Sequence, residues 1–245
     1  MILDNFPQIL WINLDRSIAR REHMEKLLTD YNLTHQRIQA TDGKNDRRGL
    51  LELCRINPKL TLLENAVTCS HLRAVKYFLE ETQEDRIVIM EDDVSFEYLK
   101  YIPFDWSELE SCFPANYSII QLASSKAKTI YPRKIDQPRK FPCAAAYLIS
   151  RNGAQEIVSK CYDSQLNKFD LSKFSREYAV ADALIYNVKV AWSVPIFTYQ
   201  ANDSVVHPKF VDHHVKRKNL ITRLWKGFAK YPKKTAYLTK FQGMN

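Results

Sequence analysis

Residues 86–93 read RIVIMEDD, in which four consecutive apolar residues are followed by three consecutive carboxylates. A short apolar run rich in β-branched residues is typical of a buried strand. In open α/β sheets, ligands bind beyond the carboxyl ends of the strands. The segment therefore predicts a central strand whose carboxyl end carries the polar groups of a binding site.

Strand and helix patterns alternate on both sides of this segment. Met24, Leu27, Leu28 and Tyr31, for example, have the spacing of one buried helical face. We predict strands at 9–14, 34–40, 86–90, 117–122, 144–149 and 188–194, and helices at 18–31, 62–79, 151–162 and 177–186. This alternation predicts one α/β domain over residues 1–205, with helices flanking a central sheet, and a basic helical extension over 206–245.

The three carboxylates point to metal chemistry. In an extended chain Glu91 and Asp93 lie on one side and Asp92 on the other. Two carboxylates on one side form a hard oxygen site that suits Mn²⁺ or Mg²⁺. The alternative interpretation is a solvated acidic turn or a helix cap.

Phosphate-binding glycine loops are absent from the sequence, which has only five glycines and neither GxGxxG nor GxxxxGK[ST]. A bound diphosphate would therefore need a metal and cationic side chains. Arg16, Arg20 and Arg21 follow the first predicted strand and are candidates for that role. A solvated helix face is the alternative interpretation of these arginines.

Three further residues carry potential chemistry. His71 and Arg73 are two apart on a predicted helix, so they cannot share a face and at least one is structural. Asp182 lies among apolar neighbours, where a carboxylate needs a partner or a function. An exposed position on an amphipathic helix is the alternative for Asp182.

The net charge of +8 is concentrated at the end of the chain. Residues 216–245 contain nine Lys and Arg and no acid, whereas the remainder carries 27 basic and 28 acidic residues. A basic tail favours a polyanionic partner, and its restriction to the tail argues against a nucleic-acid-binding body. Residues 220–231 have an apolar stripe opposite basic residues, which is typical of a helix that lies on an anionic membrane surface. The alternative is that this stripe packs on the domain.

The location expected from these features is cytoplasmic, or peripheral on the inner face of the membrane. The longest apolar run has seven residues, against about 20 for a spanning helix. The five cysteines are scattered and odd in number, which favours reduced thiols. Nothing in the sequence indicates the oligomeric state.

Five segments in a fixed order resemble glycosyltransferase family 25, which includes bacterial lipooligosaccharide galactosyltransferases and collagen galactosyltransferases. They are INLDR at 12–16 with arginines 20 and 21, ATDGK at 40–44, CSHLRA at 69–74, MEDDV at 90–94, and AYLISR at 146–151 with Gly153-Ala154. Together they span about residues 9–205.

The resemblance implies a GT-A fold with a mixed central sheet, a nucleotide-sugar donor, most commonly UDP-galactose, and inversion at the anomeric carbon. It implies that Glu91 and Asp93 bind the metal, that Asp92 contacts the donor, and that Asp182 is the general base. The remaining donor-binding residues that it implies are Asn13, Leu14, Asp15, Arg16, Arg21, Asp42, Gly43, Lys44, His71 and Arg73.

The expected function is transfer of a hexose to a glycan or glycolipid acceptor such as lipopolysaccharide or lipooligosaccharide. One alternative is a metal-dependent phosphoesterase or nuclease that uses the same acidic triplet. Another is a glycosyltransferase that modifies a protein hydroxyl.

Overall fold

The computed structural model describes residues 3–140, 143–200, 211–230 and 237–238. The strands are β1 Ile9–Asn13, β2 His35–Gln39, β3 Cys54–Arg55, β4 Arg86–Glu91, β5 Val94–Ser95, β6 Ile119–Ala123, β7 Arg133–Lys134, β8 Ala146–Ser150, β9 Tyr162–Asp163, β10 Lys168–Asp170 and β11 Ala191–Tyr199. The α-helices are α1 Ile18–Asp30, α2 Arg47–Leu53, α3 Leu62–Glu81, α4 Trp106–Glu110, α5 Arg151–Cys161, α6 Arg176–Ala179, α7 Ala181–Leu184 and α8 Val211–Lys230.

The central sheet has the order β2-β1-β4-β8-β6-β11-β5, and β7 also pairs with β11. Strands β1, β2 and β4 are mutually parallel, and so are β6 and β11. Strand β8 runs antiparallel between β4 and β6 and joins the two groups. Strands β3, β10 and β9 form a small second sheet. The predicted α/β architecture with a mixed central sheet flanked by helices is confirmed.

Alternating side chains of the strands feed two apolar clusters. In β1, Ile9 and Trp11 belong to one cluster, while Leu10 and Ile12 belong to the other. This division follows from the two-residue period of a strand. The sheet is therefore covered on both faces, which explains the continuous apolar runs of β1 and β4.

Two element boundaries differ from the sequence prediction. The helix predicted at 177–186 is two short helices, α6 and α7, separated by extended Val180. The strand expected to end at Pro195 continues through it to Tyr199. Pairing with β6 shifts register between Ser193 and Phe197. Proline is tolerated at such an irregularity because its missing N–H interrupts no regular ladder.

Helix α8 packs on the body of the protein. Ile221 and Trp225 are buried, and Trp225 Nε1 donates a hydrogen bond to the Pro195 carbonyl at 2.9 Å. Leu224 and Phe228 pack against the same apolar cluster. Of the two interpretations of the apolar stripe, the structure shows packing on the domain for these four residues. Tyr231 and the predicted boundary at 205/206 lie outside the described residues.

None of the described helices has the length and apolar character needed to cross a membrane.

Candidate active site

Six strand ends meet along one edge of the central sheet. Strands β2, β1, β4, β6 and β11 all end there, and the antiparallel β8 begins there. Loops that leave this edge carry most of the predicted site residues. The edge is where ligands bind in open α/β sheets.

The acidic triplet forms a turn between β4 and β5. Glu91 is the last residue of β4, and its backbone N–H donates to the Ala145 carbonyl at 2.8 Å. Asp92 and Asp93 form the turn, and the Asp93 carbonyl accepts a hydrogen bond from the Gln200 N–H at 2.9 Å. The turn is therefore tied to the beginning of β8 and to the end of β11.

Asp92 faces β1 and α1. Its Oδ2 accepts a hydrogen bond from Asn13 Nδ2 at 2.6 Å, and its Oδ1 pairs with Arg20 Nη1 at 2.9 Å. Burial raises the pKa of the Asp92 carboxyl, while the Asn13 hydrogen bond and the Arg20 charge lower it. Arg37 Nε donates to Asn13 Oδ1 at 3.0 Å and so fixes the orientation of the Asn13 amide.

Asp93 carries an unsatisfied acceptor. Its Oδ1 is buried and has no hydrogen-bond partner among the described residues. Burial, and next the nearby Glu91 charge, raise the pKa of the Asp93 carboxyl well above its usual range. A buried carboxylate without a partner is costly unless a cation or a proton neutralises it.

Glu91 is held by His71. His71 Nε2 lies 3.1 Å from Glu91 Oε1, and His71 Nδ1 lies 3.2 Å from the Tyr147 hydroxyl. His71 is only 1% exposed. Helix α3, which carries it, is started by a capping box between Thr61 and Glu64.

Arg73 lies elsewhere on α3 and donates to the Gln39 carbonyl at 3.0 Å. The two-residue spacing thus separates it from His71, as predicted. Arg73 supports the end of β2 and has no described contact with the acidic turn.

Asp182 lies in the first turn of α7 and reaches the beginning of β8. Its Oδ1 accepts a hydrogen bond from the Ala144 N–H at 3.0 Å. Burial, and next the Glu91 charge, raise the pKa of the Asp182 carboxyl. The partner that the sequence required for this carboxylate is therefore a backbone N–H.

Cys143 adopts a conformation that sequence reasoning did not anticipate. Its φ is 116°, a region that residues other than glycine rarely occupy. Its carbonyl accepts hydrogen bonds from the Tyr186 hydroxyl at 2.7 Å and from Gln121 Nε2 at 3.0 Å. These two buried donors hold the peptide whose N–H reaches Asp182, and strain of this kind is frequent at functional sites.

The loop after β2 is organised by Asp42. Its Oδ1 accepts the backbone N–H groups of Lys44 and Asn45 at 3.0 and 3.1 Å, and its Oδ2 pairs with Arg16. Lys44 is exposed. Gly43 is buried, and a Cβ there would lie 2.5 Å from the Leu62 carbonyl oxygen. Close packing on α3 thus accounts for this glycine without a ligand.

The loop after β1 contains the other predicted donor residues. Asp15 is bound by Arg37 and Gln39, and the Arg37 hydrogen bond lowers the pKa of Asp15. Arg21 is near Asp15 and further lowers its pKa. The Leu14 carbonyl accepts the Ser17 N–H at 2.9 Å and closes the turn into α1.

The structure therefore brings Asn13, Asp92, Glu91, His71, Asp93 and Asp182 together, and it joins Arg16 to Asp42. Sequence reasoning did not select Arg37, Tyr147, Tyr186 or Cys143. The contact of Arg20 with Asp92 fits the basic cluster after the first strand. Among the described residues, no group of three or more His, Cys, Asp and Glu side chains is arranged to hold a metal ion.

The comparisons with known proteins address the family. A family model described as "Glycosyltransferase family 25 (LPS biosynthesis protein)" matches residues 6–171. This span contains the acidic turn and ends before Asp182. No curated protein matches the chain. The chain is similar to the crystal structure of A197 from STIV, with 11% identity, 78% of this chain and 83% of that chain covered, and a TM-score of 0.41, a likeness that supports no argument. Because the family match covers more than half of the chain, this protein belongs to glycosyltransferase family 25.

Proposed function

We propose that this glycosyltransferase moves a hexose, with inversion, from a nucleoside diphosphate donor such as UDP-galactose to a glycan acceptor in lipopolysaccharide biosynthesis. The family supplies the transferase class, the sugar donor and the glycan acceptor. The observation that carries the proposal is the buried, unpartnered Oδ1 of Asp93 beside the Glu91 carboxylate. Such an arrangement favours binding of a cation together with a diphosphate.

The acidic turn fits a divalent cation. Glu91 and Asp93 would hold Mn²⁺ or Mg²⁺ through carboxylate oxygens, with the donor phosphates as further oxygen ligands, which is the usual way in which proteins bind Mg²⁺. When bound, such an ion neutralises the leaving diphosphate and acts as a Lewis acid. His71 supports this arrangement because it fixes the orientation of Glu91.

Two arginines support binding of the donor on the β1 side of the turn. Arg20 neutralises Asp92, and Arg16 pairs with Asp42, so both guanidinium groups have fixed positions close to strand ends. Guanidinium groups bind phosphate oxygens in a bidentate geometry. Asp92, oriented by Asn13, then supplies an acceptor for a sugar or ribose hydroxyl.

Asp182 is suited to act as the base. Its Oδ1 accepts a hydrogen bond from the Ala144 N–H, and its second carboxylate oxygen can accept the proton of the acceptor hydroxyl. The acceptor oxygen then bonds to the anomeric carbon on the face opposite to the diphosphate. The bond between that carbon and the diphosphate oxygen breaks, and the diphosphate leaves with the electron pair. A raised pKa makes Asp182 a stronger base, so the transferred proton is better held.

The basic face of α8 supports a location at an anionic surface. Lys216, Arg223, Lys226 and Lys230 are exposed while the apolar side of the helix is packed. Each such charge near an anionic membrane contributes about 1 kcal/mol. We therefore propose electrostatic association with the membrane face that carries a glycolipid acceptor.

The test is release of UDP from a panel of UDP-hexoses by the purified full chain. We expect release with Mn²⁺, loss of release with EDTA, and recovery when Mn²⁺ is restored. The Asp93→Asn variant should be inactive, whereas Asp30→Asn is the matched control because Asp30 is exposed on α1 and pairs with Lys26 there. Release that is equally fast in EDTA, or in Asp93→Asn, would exclude the cation from the reaction.

A further inference from the structure

A second cleft opens at the same sheet edge, where β6 and β11 end and α8 packs against them. It contains about 300 Å³ of space, a volume that includes open solvent. The part that a water molecule can occupy is only about 10 Å³, which is room for one water molecule. A ligand would therefore lie across the mouth of the cleft and insert no more than a small substituent.

The cleft adjoins the catalytic carboxylates. Tyr199 lines it, and burial, followed by charge at Cys143, Asp182 and Asp93, raises the pKa of the Tyr199 hydroxyl. The next residue, Gln200, is bonded to the Asp93 carbonyl. The cleft is thus adjacent to the acidic turn, since Tyr199 also pairs with Val94.

Asp182 lies between the cleft and the two arginines that we propose bind the sugar donor, Arg16 and Arg20, in the order of the strands. Asp182 binds Ala144 at the beginning of β8, and β8 lies between β4 and β6. Arg16 and Arg20 follow β1, on the β4 side, whereas the cleft lies at the ends of β6 and β11. An acceptor in the cleft and a donor held by these arginines would therefore lie on different sides of β8.

The lining combines apolar side chains, among them Pro195, Phe197 and Ile221, with hydroxyl groups and two cationic side chains. Ser124, Ser125 and Thr198 line the cleft together with Arg217 and Lys218. Lys218 is paired with Glu97 at 2.7 Å. Arg217 is half-buried and forms no ion pair with any described residue. Because Ile221 and Trp225 fix α8 against the core, the backbone position of Arg217 is also fixed.

We propose that this cleft is an acceptor subsite that recognises a negatively charged substituent, a carboxylate or a phosphate, on the acceptor sugar. Arg217 binds the anionic group, for which its planar guanidinium is well suited. The half-buried Ser124 hydroxyl exchanges a hydrogen bond with the sugar. The inference rests on the proposed function, since it assigns the acceptor class for the same reaction.

The test is direct binding measured by ligand-detected NMR at low salt. The probes are galacturonate, galactose 6-phosphate and neutral galactose, so that the carboxylate and phosphate sources are distinguished. We expect at least one anionic sugar to bind wild type about tenfold more tightly than galactose, the value of one charge-assisted hydrogen bond. Arg217→Gln should reduce that binding to the level of galactose.

The matched control is Arg223→Gln, which removes an exposed charge from the same helix. It should leave binding of the anionic sugars unchanged. Equal binding by Arg217→Gln and wild type, or an equal loss in Arg223→Gln, would overturn the proposal. If wild type releases no UDP, the proposed function fails while the binding comparison still decides the subsite.

Discussion

His71 connects Glu91 to Tyr147: its Nε2 lies 3.1 Å from Glu91 Oε1 and its Nδ1 lies 3.2 Å from the tyrosine hydroxyl. With Glu91 ionised, Nε2–H donates to the carboxylate and Nδ1 accepts from the hydroxyl. All three groups are thereby satisfied in a site where His71 is buried. The chain thus orients one proposed cation ligand through a buried histidine.

We expect His71→Asn to weaken activation by Mn²⁺ by about 10- to 100-fold, the usual effect of losing a partner that orients a ligand. The shorter side chain cannot bridge Glu91 and Tyr147. The measurement is the Mn²⁺ concentration for half-maximal UDP release, with His23→Asn as the control because His23 is exposed on α1. An unchanged half-maximal concentration in His71→Asn would show that His71 is only a packing residue.

Asp93→Asn should stabilise the protein in the absence of metal. The folded-state pKa of Asp93 is raised well above its ordinary value of 3.8, so its contribution to stability is present below that value and is lost as pH rises through the folded-state pKa. Where the wild-type carboxyl is ionised, above its folded-state pKa, the asparagine removes an unsatisfied buried charge, and we expect a gain of about 1–3 kcal/mol in the free energy of unfolding.

Calorimetry in EDTA across a pH series checks this expectation. The difference in Tm between Asp93→Asn and wild type should shrink as pH falls towards the ordinary aspartate pKa, where wild type becomes protonated. Mn²⁺ should then raise the Tm of wild type and not that of the variant. A Tm difference that does not depend on pH would mean that Asp93 is not a strained carboxylate.

Much of the fold could be predicted because each main strand is a short apolar run between polar segments. The antiparallel direction of β8 could not be predicted, since an apolar run does not by itself indicate which strands it pairs with or in which direction. Continuation of β11 through Pro195 was also missed, because the register irregularity that accommodates proline depends on β6.

The candidate site was predicted in part, because a polar triplet after a buried strand indicates position and chemistry together. The role of Arg37 could not be predicted, because its contact with Asn13 depends on the pairing of β2 with β1. The positive φ of Cys143 could not be predicted either, because the sequence has no glycine at that position. For Gly43, which the motif assigns to the donor, the structure adds that close packing against Leu62 by itself favours a glycine at this position.

Asp182→Asn should lower kcat by about 10²- to 10⁴-fold, the usual contribution of a general base. The asparagine retains an Oδ1 that can accept the Ala144 N–H, so the turn and donor binding should be preserved. In wild type, kcat should rise with pH through the raised pKa of Asp182, because only the ionised form accepts a proton. The measurements are a pH profile of kcat and the dissociation constant of UDP. If UDP binding weakens while kcat holds, Asp182 binds the donor and the base lies elsewhere.

Two variants of α8 distinguish its packing on the core from its proposed attachment to an anionic membrane surface. Trp225→Ala should destabilise the protein by about 3–5 kcal/mol, because it leaves a cavity where a fully buried indole contacts the core. The triple variant Arg223→Gln, Lys226→Gln and Lys230→Gln should lower the Tm far less than Trp225→Ala, because these side chains are exposed and the contact of Lys226 Nζ with the Tyr101 ring, at 5.7 Å, is a surface contact. It should also lose most of its co-sedimentation with anionic vesicles at low salt, since three charges contribute about 3 kcal/mol. If Trp225→Ala instead keeps its stability and abolishes vesicle binding, the indole inserts into lipid and the packed position of α8 is not the membrane-bound one.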